Sequence, residues 1–133
     1  MRHKTLQFIA TIPGIPMLLI GIGFVIDPEQ AATGLGMPLL EGLGRSSQIG
    51  DIGAFFLTYG WCVFYGAYRS SSSWLGAGAM LMGLAASMRL LAFGLHEAAF
   101  APVFIAAEVV LATWLTICVV LFKRRDAGVS HHG

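Results

Sequence analysis

Three ionisable side chains lie in segments that are otherwise apolar enough to cross a membrane: Asp51, Arg89 and Glu108. A charge near the bilayer centre costs about 2.5–3.5 kcal/mol, so such residues are rare, are usually paired, and often belong to ligand or proton sites. Two carboxylates beside one guanidinium could bind the polar head of a ligand or exchange a proton. These residues are the strongest candidates for a functional site in the chain.

The three residues are predicted to lie at one depth in the membrane. Asp51 begins the second apolar segment, and Arg89 and Glu108 lie close to the ends of the third and fourth. At a rise of ~1.5 Å per residue, all three fall within roughly 10 Å of the same membrane interface. Their matched depth and opposite charge predict a contact between Arg89 and Glu108, because an unpaired ion in low dielectric is costly.

Helical spacing places more polar and aromatic side chains on the same faces. Phe55 and Thr58 follow Asp51 at this spacing, and Phe93 and His96 follow Arg89. If these faces converge, they enclose a mostly apolar pocket with a few polar groups, which is typical of small-molecule sites. The predicted ligand-binding cluster is therefore Asp51, Arg89, Glu108, His96, Thr58, Phe55 and Phe93.

Each polar member of this cluster also has a structural interpretation. A pair of Arg89 and Glu108 can simply lock the third helix to the fourth. Asp51 can cap the second helix, because it lies at the positive end of that helix dipole. His96 can be a loop histidine at the membrane interface. The sequence is compatible with a functional and with a structural origin of the cluster.

The composition indicates a membrane protein. The chain has 133 residues, of which 56% are hydrophobic and 11% charged, and its mean hydropathy is +0.76. Soluble domains are typically about 25% charged, so residues 1–133 are predicted to form a single transmembrane domain. Cys62 and Cys118 lie in apolar segments and are expected to be buried. No metal site and no cofactor are expected, because the common metal, nucleotide and hydrolase motifs are missing from the sequence.

Four apolar segments predict an all-α fold, an integral membrane four-helix bundle with helices over about 6–26, 50–68, 74–95 and 102–122. Each segment is near the ~20 residues that a spanning helix needs. Lys and Arg are concentrated at both chain ends and between the second and third helices, so both termini are predicted to be cytoplasmic. The first outer loop should contain a short interfacial helix: Asp27 can cap it, Pro28 suits its first position, and Glu29 favours its dipole.

Two further patterns concern helix packing. Pro13 and Pro16 predict a bend in the first helix near its cytoplasmic third, because proline frees a backbone carbonyl and kinks a helix. Ala79, Gly83 and Ser87 recur at four-residue spacing, which predicts close helix packing along that face of the third helix. The same face could instead form the seam of a homo-oligomer.

Four short motifs are distinctive: IDPEQAATGLG after the first helix, GDIGAFFLTYGW at the start of the second, MRLL in the third and IAAEVVL in the fourth. Together they resemble a family of small bacterial membrane proteins of unknown function, near the DoxX-like proteins. The resemblance implies a multi-pass protein of the bacterial cytoplasmic (inner) membrane, with Asp51, Arg89 and Glu108 as its notable polar positions. DoxX-like proteins can be small subunits of quinone-linked oxidoreductases, but this chain has no cofactor-binding motif that would extend that role to it.

We expect a membrane protein that binds an apolar or amphipathic ligand, lipid or quinone-like, or that is an accessory subunit of a larger membrane complex. The alternative is a membrane enzyme with isomerase-type chemistry, using Glu108 or His96 as general acid or base. A proton-coupled transporter is disfavoured, because the first helix carries no charge. The expected partners are membrane lipids and a second copy or larger complex, and no nucleic acid.

Overall fold

The computed structural model describes residues 3–130, with side chains for 3–125, and every regular element in this range is helical. Three helical segments are long and apolar enough to cross a membrane: His3–Ile26, Ser72–His96 and Pro102–Arg125. These findings confirm that the described residues are all-helical and include helices able to span a membrane. In chain order, the helices are α1 (His3–Thr11), α2 (Gly14–Ile26), α3 (Pro28–Gly34), α4 (Gly42–Ser47), α5 (Gly53–Arg69), α6 (Ser72–His96) and α7 (Pro102–Ser130).

The second predicted span differs from the other three. It is covered by α5, which has 17 residues and is not among the three segments long and apolar enough to span. Polar and amphipathic side chains, Thr58, Tyr59 and Trp61 among them, make this helix less apolar. A fourth span at this helix therefore stays a prediction.

The chain folds as two compact units. Unit 1 comprises Met1–Pro13 and Cys62–Gly133, and unit 2 comprises Gly14–Trp61. The boundary lies within α5, so the first half of this helix belongs to unit 2 and the second half to unit 1. Each unit has buried apolar residues of its own.

In unit 1, α6 and α7 form a helical hairpin that buries one face of each helix. The buried face of α7 includes Cys118, and Cys62 on α5 is also buried, as expected. The packing face predicted for α6 is wrong by one residue, because open space surrounds Gly83 and Ser87 is exposed. The buried face of α6 combines large and small side chains, and it consists of Leu75, Gly78, Met82 and Ala86.

The turn between α5 and α6 is tight. Ser70 has a φ of 53°, and the Ser71 N–H donates to the Gly66 carbonyl at 2.8 Å. A Cβ on Gly66 would lie 2.9 Å from the backbone nitrogen of Leu75, closer than real Cβ atoms approach. Glycine at this position therefore allows α5 and α6 to meet directly at the turn.

The first span is interrupted at the proline run, since α1 ends at Thr11 and α2 begins at Gly14. Pro13 has no N–H to donate to the carbonyl of Ile9, four residues earlier. The Trp114 Nε1–H on α7 donates to that Ile9 carbonyl at 3.2 Å. A side chain from another helix of unit 1 thus satisfies the acceptor that proline leaves without an intrahelical donor.

In unit 2, the short helix predicted in the first outer loop is present as α3. The Asp27 Oδ1 accepts a hydrogen bond from the Gln30 N–H at 3.0 Å, which confirms the predicted cap. Ala32 of α3 packs with Phe24 and Phe56 in the buried core of this unit. Of the apolar loop residues that follow, Leu35, Met37 and Leu39 pack against this core, whereas Leu40 and Leu43 are exposed.

Candidate functional site

The predicted contact between Arg89 and Glu108 is present in unit 1. The Arg89 Nε–H donates to the Glu108 Oε1 at 2.8 Å, linking α6 to α7. The Glu108 side chain is only 12% exposed, whereas the Arg89 side chain is 36% exposed. The carboxylate is therefore the enclosed member of the pair, and the guanidinium reaches the surface.

An aromatic ring completes the immediate surroundings of the guanidinium. The Arg89 Cζ lies 4.9 Å from the centroid of the Phe104 ring, a cation–π distance. Phe104 precedes Glu108 by one helical turn, so both side chains lie on the same face of α7. That face of α7 therefore offers Arg89 both a negative charge and a negative ring face.

The pair leaves hydrogen-bonding capacity unused. The Glu108 Oε2 is buried and has no hydrogen-bond partner among the described residues. The Arg89 hydrogen bond runs through Nε alone, so neither Nη group bonds to any residue that the structure describes. Arginine–carboxylate pairs frequently form two parallel hydrogen bonds. This pair instead presents one enclosed acceptor and two donor groups.

The remaining candidates of unit 1 lie at the end of α6. His96 is exposed in its last turn, and Glu97 ends the helix in a left-handed conformation with φ of 53°. Phe93 is half exposed and packs against Phe100, with ring centroids 5.1 Å apart. Phe93 follows Arg89 by one turn and extends the apolar surface on that face of α6. The structure shows no contact of His96 with the ion pair.

The other three candidates belong to unit 2. Phe55 packs edge-on against Phe56, with ring centroids 5.3 Å apart, and contacts the core of that unit. Thr58 is exposed. Asp51 is also exposed, and it lies inside a π-helical turn, Gln48–Ile52, that runs without interruption into α5. The interpretation of Asp51 as a helix cap is therefore wrong, while its membership of a shared cluster stays a prediction.

A buried amide, which sequence reasoning did not select, stabilises the loop between α3 and α4. The Gln48 Oε1 accepts from the Leu40 N–H at 2.6 Å, and its Nε2 donates to the Pro38 carbonyl at 3.0 Å. The Arg45 Nε–H also donates to the Leu40 carbonyl, at 2.9 Å. These bonds fix the irregular segment before α4. Nothing in the local pattern distinguishes Gln48 from an ordinary polar loop residue.

No family model matches the chain, and its comparison with curated proteins and with solved structures gives no match. The resemblance to small DoxX-like membrane proteins thus stays a prediction from the motifs.

Proposed function

We propose that this protein binds an amphipathic ligand, lipid or quinone-like, whose polar head is held by Arg89 and Glu108. The observation that supports this proposal is the incomplete bonding of the pair. A buried polar oxygen without a partner is costly, and the Glu108 Oε2 has none among the residues that the structure describes. A ligand head that donates to this oxygen and accepts from the Arg89 Nη groups would satisfy both residues.

The surroundings favour a ligand with an apolar body. Phe104 lies against the guanidinium, and Phe93 extends the apolar face of α6 beyond it. The ion pair is already neutral, so a neutral head such as a hydroxyl or carbonyl group adds no net charge to the site. Such a group is less costly to transfer from water than an ion. The chemistry therefore favours a head with a hydroxyl group, which can donate to the carboxylate and accept from the guanidinium, over a carbonyl group alone or a simple anion.

Native mass spectrometry of protein extracted with its own lipids tests the proposal. Arg89→Gln and Glu108→Gln should each lose a bound small molecule that the unmodified protein retains. Glu97→Gln is the control, since it changes an exposed carboxylate on the same hairpin. Equal retention by all four proteins, or no bound small molecule in any of them, would show that the pair is structural.

We further propose that α5 provides a fourth span, so that the chain is a four-helix bundle of the bacterial inner membrane with both termini cytoplasmic. The distribution of Lys and Arg supports this orientation. Single cysteines introduced at Ser47 and at Ser130, in a background without Cys62 and Cys118, test it with an impermeant thiol reagent. Only the Ser47 position should react from outside intact cells, and reaction at Ser130 would reverse the orientation.

A further inference from the structure

An apolar groove runs along the surface of unit 1 between α1 and α7. Its volume is about 520 Å³. Leu6 and Cys118 are buried in it, while Val110 and Ile117 are more than half exposed along it. The groove thus has an enclosed part and an open side. It is lined by Leu6, Ile9, Val109, Val110, Thr113, Trp114, Ile117, Cys118 and Leu121.

The groove leads to the basic end of α7. Its lining residues on α7 recur at helical spacing from Val109 to Leu121, a length of about 18 Å. The same spacing continues from Leu121 to Arg124 and Arg125, which are both exposed. Lys123 is equally exposed but lies off this face. A single face of α7 therefore changes from apolar groove to positive charge.

Unit 1 brings the start of α1 to the same end. The His3 ring packs edge-on against Phe122, with centroids 6.3 Å apart. Leu6 follows His3 by one helical turn and lines the groove. The Trp114 hydrogen bond to the Ile9 carbonyl holds the two helices together further along the groove. The groove walls are thus fixed at two levels of the unit.

We propose that this groove binds one acyl chain of an anionic phospholipid, with the phosphate at Arg124. An apolar channel that ends in positive charge complements a molecule with an apolar chain and a negative head. Basic side chains at the end of a spanning helix attract anionic headgroups, and arginine forms strong hydrogen bonds with phosphate. The site is independent of the ion pair, since Arg124 lies about 24 Å along α7 from Glu108.

Trp114 in the groove wall provides the test. In a Trp61→Phe/Trp74→Phe protein in detergent micelles, Trp114 is the remaining tryptophan. Its fluorescence is titrated with brominated phosphatidylglycerol and, separately, with brominated phosphatidylcholine. The anionic lipid should quench at the lower mole fraction. Arg124→Gln should reduce this preference about fivefold, because one interfacial charge contributes about that factor, and Lys123→Gln should reduce it much less.

A second pair of variants tests the groove itself. Val110 and Val120 are exposed valines on the same helix, but only Val110 lines the groove. Val110→Phe should weaken quenching by the anionic lipid, and Val120→Phe should leave it unchanged. Any of three results would overturn the proposal. They are equal quenching by the two lipids, equal effects of Arg124→Gln and Lys123→Gln, and equal effects of the two valine variants. If the protein is dimeric and neither lipid quenches Trp114, the groove is occupied by a second copy of the chain instead.

Discussion

Removing either member of the Arg89–Glu108 pair should destabilise the protein, and the two removals should differ. Arg89→Gln leaves the 12% exposed carboxylate without its partner, whereas Glu108→Gln leaves a guanidinium that is 36% exposed. A long arginine side chain can move its charge toward an interface, but an enclosed carboxylate cannot. Arg89→Gln also removes the cation–π contact with Phe104. The loss of stability should therefore be larger for Arg89→Gln than for Glu108→Gln.

The magnitude follows from the geometry. A hydrogen bond to a charged group contributes about 1.5–3 kcal/mol, and the bond here is short, at 2.8 Å. Interhelical hydrogen bonds in a membrane protein contribute less, about 0.6 kcal/mol on average and at most about 1.7. Partial exposure of Arg89 reduces the value further. We expect a coupling energy of about 1.5 kcal/mol between the two residues, and a cost of about 2–3 kcal/mol for Arg89→Gln because it leaves an enclosed charge unpaired.

A double-mutant cycle measures this coupling. The free energy of unfolding is determined by denaturant titration in mixed micelles for the unmodified protein, Arg89→Gln, Glu108→Gln and the double variant. The double variant should be more stable than the sum of the two single losses implies. A coupling energy below about 0.5 kcal/mol would place the pair among weak surface contacts and refute the reasoning. A larger loss for Glu108→Gln than for Arg89→Gln would refute the assignment of the enclosed charge.

Two more outcomes are expected in the same assay. Gly66→Ala should lower stability, because its Cβ would meet the Leu75 backbone at 2.9 Å, whereas Gly83→Ala should raise it by up to about 1 kcal/mol, since open space surrounds Gly83. A loss of stability on Gly83→Ala would instead show that another molecule covers this face of α6. Trp114→Phe should cost about 0.5–1.5 kcal/mol by leaving the Ile9 carbonyl unpaired. The same substitution should cost less stability in a Pro13→Ala protein, because the alanine N–H at this position can donate to the Ile9 carbonyl. An equal cost in both proteins would show that the Trp114 hydrogen bond does not compensate for the missing donor of Pro13.

Local sequence signals predicted the local structure well. The cap at Asp27 is confirmed, and the first span is interrupted at the proline run that predicted a local distortion. Each is decided by the chemistry of a few neighbouring residues: a side-chain oxygen that accepts an amide hydrogen bond, or a proline that has none to donate. The contact between Arg89 and Glu108 was also predictable, because consecutive antiparallel helices bring equal depths together.

The predictions failed where local sequence preference does not decide which residues are buried or where a helix begins. Small residues at four-residue spacing predicted a packing face through Gly83, but the buried face of α6 includes Met82. The two faces differ by about 100° of rotation, and the packing of α6 against its neighbouring helices selects between them. Asp51 was also misassigned, because helical bonding continues through it in a π-helical turn where local preference would place a cap.

The sequence by itself determined that the chain is helical, that it has segments able to span a membrane, and which charged residues these segments contain. Tertiary structure alone decided how those residues bond. It left the Glu108 Oε2 enclosed without a hydrogen-bond partner among the described residues, directed the Trp114 indole to the Ile9 carbonyl, and formed an apolar groove between α1 and α7. The physical reason is that spacing along a helix fixes the face on which a side chain lies, whereas hydrogen bonds and grooves depend on the distance and rotation between helices.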